Sequence, residues 1–348
     1  MIREGGVRLR TQRSFYNPAM SFNRSLSTLA VKALAPERVL DGFCASGARG
    51  LRYAAEGGAG GLVFLDLSSA ALSAAKANAR LNKTKAEFVR DDFNHYCHSG
   101  RRFDFVEADP FGSPAPFIAA ALDAFEKKGA LSVTATDLAN LCASTRQRTA
   151  VCVRQYQAVP MRCDFTHEVA LRLLLGKVCR EAAARDYAMK PLLCWYERHY
   201  AKAIVSLGRS AAGADASLKM QGFVSFNPKT LDRRAGAVKG WRVAGPLWLG
   251  DCCDSAFVKQ LETLAVEARE KKFLGLLAGE IGLPPFYWDV HALSEHWRIG
   301  SPRTEAVIEG LRKRGFRAVG THYAGTGVKT DAPLAKIKGV FKWALKRK

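Results

Sequence analysis

The sequence predicts an α/β protein in which a doubly wound parallel sheet precedes a smaller α+β domain. Between residues 38 and 140, short apolar runs alternate with helical stretches, as in a parallel sheet with crossover helices. Four of these runs end on an acidic residue, and a glycine-rich turn follows the first. From about residue 255, helical stretches dominate and one further strand is evident. We expect the two domains to cover residues 1–250 and 251–348.

The parallel sheet is predicted from five strands with helices between them. The strands are RVLDGF (38–43), GLVFLDLS (61–68), AEFVRDD (86–92), RFDFVEADPF (102–111) and ALSVTATDL (130–138). The helices are LRYAAEGG (51–58), SAALSAAKANARLNK (69–83) and FIAAALDAFEKKG (117–129). After a long helix over 168–186, we expect HYAKAIVSLG (199–208) and MQGFVSFNP (220–228) to complete the sheet as antiparallel strands.

The charge balance favours a polyanionic partner. Lysine and arginine number 53 against 32 acids, for a net charge of +21 and a pI near 9.8. Basic residues recur throughout and are dense at the tail KIKGVFKWALKRK (336–348), where aromatic residues lie between lysines. Such clusters release counterions from a phosphate backbone, so nucleic acid is the favoured partner. An anionic membrane surface is the second alternative.

Other features favour a cytoplasmic protein that is not embedded in a membrane. No apolar run approaches the roughly 20 residues that span a bilayer. Residues 1–30 lack the apolar core of a secretory signal. The nine cysteines form no CxxC pair, as expected of reduced thiols. Nothing in the sequence demands an obligatory protein partner.

The acids at the strand ends predict a ligand site. Ligands of open parallel sheets bind outside the carboxyl ends of the strands, and Asp41, Asp66, Asp92 and Asp109 all follow strands there. Glycines in the turn after Asp41 let the backbone approach a ligand closely. Neither GxGxxG nor a P-loop is present. Asp66 follows Asp41 by 25 residues, a spacing that fits a carboxylate on ribose hydroxyls in either an NAD or an S-adenosylmethionine site.

The octapeptide EADPFGSP (107–114) favours methyl transfer to a base amine. Its two prolines end the strand and hold Asp109 on a stiff turn. An exocyclic base amine is a poor nucleophile because its lone pair is delocalised into the ring. A carboxylate that accepts an N–H hydrogen bond, helped by the Pro110 carbonyl, favours the tetrahedral nitrogen that attacks a methyl sulfonium. Phe111 offers a surface on which the base can stack.

Several motifs, in order, resemble the archaeal tRNA guanine-N2 dimethyltransferases that modify guanine 26. They are FYNPAMSFNR (15–24), DPFGSP (109–114), GPLWLG (245–250), FYWDVHALS (286–294) and GVKTDAP (327–333). The resemblance covers nearly the whole chain. It implies a class I, Rossmann-like methyltransferase fold, S-adenosylmethionine as donor and tRNA as partner, with one or two methyl groups transferred to N2 of guanine 26.

The resemblance also implies which residues bind the cofactor. Arg24 is expected to meet the methionine carboxylate, a task that suits a guanidinium group, and Arg49 to line the same end. Asp66 is expected to take the ribose hydroxyls. Asp41 is expected to support the cofactor loop. Asp137, at the end of the fifth strand, either faces the same pocket or caps a helix.

The remaining site residues are implied in the same way. Asp92 and Phe93 are expected to border the adenine. Asp109 is expected to be the catalytic carboxylate. Pro110 and Phe111 are expected to shape the guanine pocket.

One departure concerns zinc. Many members of the family carry two CxxC pairs between the last sheet strands and GPLW, whereas the corresponding stretch here has no cysteine. A tetrahedral structural zinc needs four ligands, and the adjacent Cys252 and Cys253 are poorly placed to share one ion. His291 and His296 lie five residues apart and are expected on a helix surface. We therefore predict no metal site.

Three alternatives stay open on the residues themselves. A methyltransferase could act on the exocyclic amine of adenine or cytosine in RNA or DNA instead. A nucleic-acid-binding protein that has lost activity would be expected to lose the strand-end acids, and they are present. An NAD-dependent oxidoreductase would need the glycine fingerprint, which is absent.

Overall fold

The computed structural model describes residues 1–12 and 14–345. The strands are β1 Ile2–Glu4, β2 Val7–Leu9, β3 Arg38–Asp41, β4 Gly61–Asp66, β5 Glu87–Arg90, β6 Phe105–Ala108, β7 Lys128–Ala135, β8 Tyr187–Glu197, β9 Tyr200–Arg209, β10 Gln221–Phe226, β11 Arg233–Ala235, β12 Arg242–Trp248, β13 Trp288–Asp289, β14 Ala318–Gly320 and β15 Gly327–Thr330. The helices are α1 Ser21–Leu34, α2 Ala48–Ala55, α3 Ser69–Leu81, α4 Phe93–His98, α5 Ala115–Asp123, α6 Leu138–Leu141, α7 Arg146–Tyr156, α8 Thr166–Ala183, α9 Ala211–Lys219, α10 Ser255–Leu264, α11 Ala268–Glu280, α12 Val290–Trp297, α13 Thr304–Arg312 and α14 Leu334–Leu345. A short 3₁₀ turn covers Pro18–Met20.

The central sheet has seven strands in the order β5-β4-β3-β6-β7-β9-β8. The five predicted strands are parallel to one another, and β9 and β8 complete the sheet antiparallel to them. The predicted Rossmann-like methyltransferase architecture is thereby confirmed. The C-terminal ends of β3, β4 and β6 meet at one edge, and this edge receives the strand-end acids.

One predicted strand lies elsewhere. The segment 199–208 is in the central sheet as expected, but 220–228 is not: β10 pairs with β11 and β12 in a separate three-stranded sheet. The seventh central strand is β8, which forms a long hairpin with β9 through a two-residue turn at Arg198 and His199. Sequence adjacency explains this outcome, because such a short turn pairs β8 with β9 before β10 is reached.

Two hydrophobic cores cover the two faces of the central sheet. Leu40 and Val106 point to one face and pack with α5 and α8. Val39 and Phe64 point to the other, where Leu26 of α1 covers them. Neighbouring residues of a strand point to opposite faces, which explains why these strands read as continuous apolar runs.

The C-terminal region divides between an attached part and a core of its own. Phe257 and Leu261 of α10 lie in the same core as Leu26 of α1. A third core begins at Trp288 and includes Phe341 of α14. The domain boundary at residue 250 stays a prediction. Helix α10, which follows this boundary, shares a hydrophobic core with the central sheet.

A buried ion network joins this C-terminal core to α8. Lys329 Nζ lies 2.8 Å from Glu168 Oε1, which also accepts a hydrogen bond from Arg172 Nε at 2.9 Å. The backbone N–H of Tyr287 donates to the other oxygen of Glu168 at 3.0 Å. Burial alone raises the pKa of Glu168, but Lys329 and Arg172 hold it at about 2. No helix in the described part of the chain is both long enough and apolar enough to cross a membrane.

Candidate active site

A cavity of about 380 Å³ opens at the C-terminal edge of the central sheet. Seven of the nine predicted site residues line it, namely Arg24, Asp41, Arg49, Asp66, Asp109, Pro110 and Phe111. Residues that the sequence did not single out also contribute, among them Phe15, Tyr16, Phe43, Thr136 and His199. The strands, the turn after β3 and the segment before α1 thus converge on one site.

The turn that carries Asp109 is pinned from two sides. The backbone N–H of Gly112, whose φ is +80°, donates to Thr136 Oγ1 at 2.9 Å, and Thr136 N–H donates to the Gly112 carbonyl at 3.0 Å. Ser113 Oγ donates to the hydroxyl of Tyr156 at 3.0 Å. The stiff turn expected from the two prolines is therefore also tied to the segment that follows β7.

The Asp109 carboxylate is held by Arg49. Arg49 Nη2 forms an ion pair with Asp109 Oδ2, while its Nη1 donates to Asn23 Oδ1 at 2.7 Å. The guanidinium is buried, and it comes from the first turn of α2, directly after the glycine-rich loop. Because Arg49 engages one carboxylate oxygen, the other oxygen of Asp109 is left to accept a hydrogen bond from a ligand.

Beneath this pair lies a second, fully buried one that sequence reasoning missed. Glu107 of β6 forms an ion pair with Lys202 of β9, and Arg49 Nε lies 3.9 Å from Glu107 Oε1. Tyr53 donates its hydroxyl hydrogen to Glu107 Oε2 at 2.6 Å, and Lys202 Nζ donates to Thr134 Oγ1 at 2.9 Å. Burial by itself raises the pKa of Glu107, but Lys202 and Arg49 together hold it below its ordinary value.

The Asp41 side chain stabilises the junction between the glycine-rich loop and α2. Its Oδ2 accepts a hydrogen bond from the backbone N–H of Gly50 at 3.0 Å. A Cβ at Gly50 would lie 2.9 Å from this oxygen and 2.5 Å from the Phe64 ring, so only glycine allows the close approach. Burial, joined by repulsion from Glu107, raises the pKa of Asp41 to about 7 despite the attraction of Arg49.

Asp66 pins the other side of the same loop. Its Oδ2 accepts from the backbone N–H of Ala45 at 3.0 Å, and its Oδ1 accepts from that of Ser68 at 2.9 Å. Ala45 and Gly47 both have positive φ, at 46° and 76°, so the loop curves tightly around the cavity. An ionised carboxylate has about four acceptor sites, which leaves capacity for ribose hydroxyls. The predicted ribose role of Asp66 stays a prediction.

Arg24 lines the cavity with its guanidinium already paired. Glu4 of the hairpin β1–β2 accepts from Arg24 Nε at 2.7 Å and from Tyr16 OH at 2.6 Å, and Arg52 Nη1 lies 3.2 Å from the same carboxylate. The hairpin was not predicted from sequence, because its strands have only three residues each. Contact of Arg24 with a methionine carboxylate stays a prediction.

Asp92 and Phe93 lie outside the described cavity lining. Asp92 Oδ1 caps α4 by accepting from the backbone N–H groups of Asn94 and His95, at 2.9 and 3.1 Å. Phe93 is buried and stacks on Phe43, with ring centroids 4.9 Å apart, and Phe43 does line the cavity. Phe93 therefore supports the cavity wall from behind, and the predicted contact of this pair with adenine stays untested.

Asp137 occupies the N-cap position of α6, one of its two predicted places, although its side chain is engaged elsewhere. It is absent from the described lining, and its side chain makes no capping hydrogen bond to α6. It accepts from Tyr156 OH at 2.7 Å and from Asn140 Nδ2 at 3.1 Å. Its role is to hold the segment after β7 against the catalytic turn.

Two exposed aromatic rings flank the mouth of the cavity. Phe111 is 78% exposed and Phe15 is 54% exposed, and their rings meet edge to face with centroids 4.7 Å apart. Exposed phenylalanines this large lose favourable burial and are typical of binding surfaces. The sequence analysis did not identify Phe15 as a site residue, although it is the first residue of the motif FYNPAMSFNR.

The two adjacent cysteines face different partners. Cys253 donates to the Cys194 carbonyl at 3.4 Å, whereas Cys252 accepts a long contact of 4.0 Å from Tyr323 OH. Within residues 1–12 and 14–345, no three His, Cys, Asp or Glu side chains are grouped to hold a metal ion. These residues do not fit a structural zinc, and the prediction that none binds stays a prediction.

The buried pair predicts a strong coupling in stability. Lys202→Met leaves Glu107 partly uncompensated in the core and is expected to lower the free energy of unfolding by about 3–5 kcal/mol. Adding Glu107→Gln should recover much of that loss, because the uncompensated charge disappears while Tyr53 keeps its acceptor. Urea unfolding of both singles and the double measures the coupling. Arg101→Gln, at the exposed pair with Glu87, is the control and should cost less than about 1 kcal/mol. Additive losses would contradict the prediction.

The raised pKa of Asp41 predicts a pH-dependent gain from Asp41→Asn. A carboxyl whose folded pKa is raised stabilises the fold below its unfolded pKa and loses this advantage as pH rises through about 7. Asparagine keeps an acceptor for Gly50 and carries no charge. The melting temperature of the variant relative to the parent should therefore rise between pH 5 and pH 8. A difference that is constant across this range would show that Asp41 carries no such cost.

Comparisons with known proteins agree with this architecture. The family model for N2,N2-dimethylguanosine tRNA methyltransferases matches residues 7–342. A tRNA (guanine(26)-N(2))-dimethyltransferase of Thermococcus kodakarensis is 37% identical, covering 94% of this chain and 93% of its own length. That of Pyrococcus abyssi is 36% identical over 92% of this chain and 90% of its own.

A solved structure is similar over its whole length. The Trm1 structure from Pyrococcus horikoshii with S-adenosyl-L-methionine has a TM-score of 0.91 at 31% identity, covering 97% of this chain and 98% of its own. With the family model and the relatives, this likeness shows that the chain belongs to the N2,N2-dimethylguanosine tRNA methyltransferase family.

Proposed function

We propose that this chain transfers one or two methyl groups from S-adenosylmethionine to N2 of guanine 26 in tRNA, with Asp109 as the catalytic carboxylate. The observation that carries the proposal is the convergence of Asp109, Pro110, Phe111, Asp66 and Arg49 on one cavity at the carboxyl edge of the sheet. The similar tRNA (guanine(26)-N(2))-dimethyltransferases support the reaction, and the similar structure with S-adenosyl-L-methionine supports the donor. We also propose a cytoplasmic location, because tRNA is present there.

The cavity divides into a polar end and an aromatic end. Asp66 and the loop after β3 form the polar end, where the hydroxyls of a ribose can donate hydrogen bonds to the Asp66 carboxylate. Arg24 and Arg49 supply cations for the methionine carboxylate. S-adenosylmethionine supplies an electrophilic methyl group on its sulfonium. The residues present fit this donor. The Asp66 carboxylate can accept from its ribose hydroxyls, and the guanidinium groups of Arg24 and Arg49 can bind its carboxylate.

Phe111 and Phe15 are placed to hold the guanine. A base turned out of its stack must replace lost stacking, and aromatic side chains supply about 1–3 kcal/mol for each base they contact. In the structure these rings meet each other across the mouth of the cavity. We assign them as the two walls of the base pocket, with Pro110 forming its floor.

Asp109 directs the amine. The oxygen that Arg49 leaves unengaged accepts one N2–H of guanine, and the Pro110 carbonyl is the second acceptor. These hydrogen bonds favour pyramidal nitrogen and aim its lone pair along the line of methyl transfer. As the N–C bond forms, the bond between the methyl group and the sulfonium breaks, its electron pair returns to sulfur and S-adenosylhomocysteine is left; the nitrogen's proton then leaves through Asp109 or water. The second methyl follows when the monomethylated guanine meets fresh cofactor.

A nucleoside digest of unmodified tRNA incubated with the protein and S-adenosylmethionine tests the reaction. Mass spectrometry should show N2-methylguanosine and N2,N2-dimethylguanosine, and both should disappear when guanine 26 is replaced. Methylated adenosine or cytidine would overturn the substrate while keeping the fold and the donor.

Asp109→Asn tests the catalytic assignment. Asparagine keeps the shape but lacks the charge that favours the attacking amine, so kcat should fall about 10²–10³-fold while the cofactor Kd changes little. Asp91→Asn is the matched control, because Asp91 also follows a strand but lies outside the described lining. An active Asp109→Asn protein in single-turnover methylation would remove Asp109 from the mechanism.

The basic C-terminal region is assigned to tRNA binding. Lys336, Lys338 and Lys342 are exposed on α14. Replacing all three with glutamate should weaken tRNA binding and flatten its salt dependence, with a loss of about 0.7–0.9 in slope for each lost phosphate contact. Fluorescence anisotropy across a salt series measures both quantities. Unchanged affinity would exclude this helix from the binding surface.

A further inference from the structure

The segment between Asp137 and Asp164 carries charge of only one sign. Residues 138–163 contain four arginines, Arg146, Arg148, Arg154 and Arg162, and no aspartate, glutamate or lysine. Acid-free stretches with at least as many basic residues also occur at 5–36, 67–86 and 332–348, so the position of this one in the fold decides its role. The proposed mechanism uses none of these arginines. A stretch that contains arginines and no acids is typical of a surface that binds a polyanion.

The fold brings this segment to the rim of the active site. It follows β7, which is parallel to β6, so it leaves the sheet at the same edge as Asp109. Thr136, just before it, lines the cavity and exchanges two hydrogen bonds with Gly112 of the catalytic turn. At its far end Tyr156 receives a hydrogen bond from Ser113. The segment is thus fastened to the turn that carries Phe111.

The arginines of α7 are free to meet a ligand. The helix buries Cys152 and Tyr156, whereas Arg146, Arg148 and Arg154 are exposed. The guanidinium groups of these three arginines form no ion pair and no hydrogen bond among residues 1–12 and 14–345, although the backbone N–H of Arg148 donates to Thr145 Oγ1. Elsewhere several exposed arginines have acidic partners, such as Arg101 with Glu87.

The positive strip continues beyond the helix. Arg162 is exposed, and its carbonyl accepts a contact of 3.4 Å from Arg242 Nη1 of β12. The strands are joined nearby, because Val159 and Gly245 exchange backbone hydrogen bonds of 2.8 and 2.9 Å. We name the exposed arginines of α7, together with Arg162 and Arg242, the arginine strip.

We infer that the arginine strip binds the tRNA backbone next to the guanine that enters the cavity. This inference rests on the proposed function, since it assigns a surface to the same substrate. Guanidinium groups bind phosphate oxygens in bidentate fashion and stay charged at every physiological pH. A base that leaves its stack carries its own backbone with it, so the adjoining phosphates must lie beside Phe111. The strip supplies cations at that place.

Binding of an unmodified tRNA transcript by the triple variant Arg146→Gln, Arg148→Gln, Arg154→Gln tests the strip. Anisotropy in a salt series should show affinity about 10–100-fold lower near 0.1 M salt and a slope reduced by about 2–3. The matched control is Lys76→Gln, Arg80→Gln, Lys85→Gln, which removes the same charge from exposed sites around α3. The control should lose less than about 3-fold. Equal losses in both variants would overturn the inference, because net charge alone would explain them.

A second variant separates misfolding from lost contacts. Replacing the same three arginines with lysine keeps the charge and should retain the salt slope, while affinity falls a few-fold with the bidentate geometry. Both variants should bind S-adenosylmethionine like the parent in calorimetry, which shows that the cavity is folded. If the parent methylates tRNA and the glutamine variant binds tRNA like the parent, the arginine strip does not bind tRNA, and the proposed function is unaffected. If the parent binds tRNA through the strip and methylates nothing, the proposed function fails and the strip stands.

Discussion

The catalytic carboxylate depends on charges buried beneath it. Glu107 of β6 lies two residues before Asp109, which directly follows the strand, and Arg49 contacts both of them. Lys202 reaches Glu107 only because β9 inserts antiparallel beside β7, with Lys202 opposite Thr134. Desolvating such ions costs several kcal/mol each, so the arrangement survives only with every member paired. The antiparallel end of the sheet therefore supplies the cation that allows Glu107 to be buried directly before the turn that carries Asp109.

Acids that look equivalent along the sequence act differently in the structure. Asp66 and Asp109 line the cavity and keep acceptor capacity for a ligand. Asp41 also lines it, but a backbone N–H of α2 takes its Oδ2. Asp92 caps the helix after its strand. Each of these strands ends at a loop or a helix whose first backbone N–H groups lack an acceptor. These N–H groups compete with a ligand for the carboxylate oxygens at the strand ends.

Local sequence patterns predicted the structural features that depend on residues close together in the chain. The five parallel strands and the stiff turn at Asp109 follow from apolar runs, glycine and proline, and they are present. The strand β8, the hairpin that carries Glu4 and the pairing of Glu107 with Lys202 were missed. The last pair is separated by 95 residues, and no periodicity in one segment reports a partner so distant. Three-residue strands likewise leave no usable pattern.

The distribution of positive charge bears on how a buried base is reached. Turning a guanine out of its stack costs a few kcal/mol, and stacking against Phe15 or Phe111 returns part of this only after the base has entered. Phosphate contacts act earlier, because they form while the base is still stacked. Contacts to phosphates that do not move when the base is extruded raise affinity equally for stacked and flipped tRNA and so leave the flipping equilibrium unchanged. Contacts beside the mouth differ between the two states, since the backbone moves there. Only a cationic surface adjoining the catalytic turn can therefore convert electrostatic attraction into extrusion of the base.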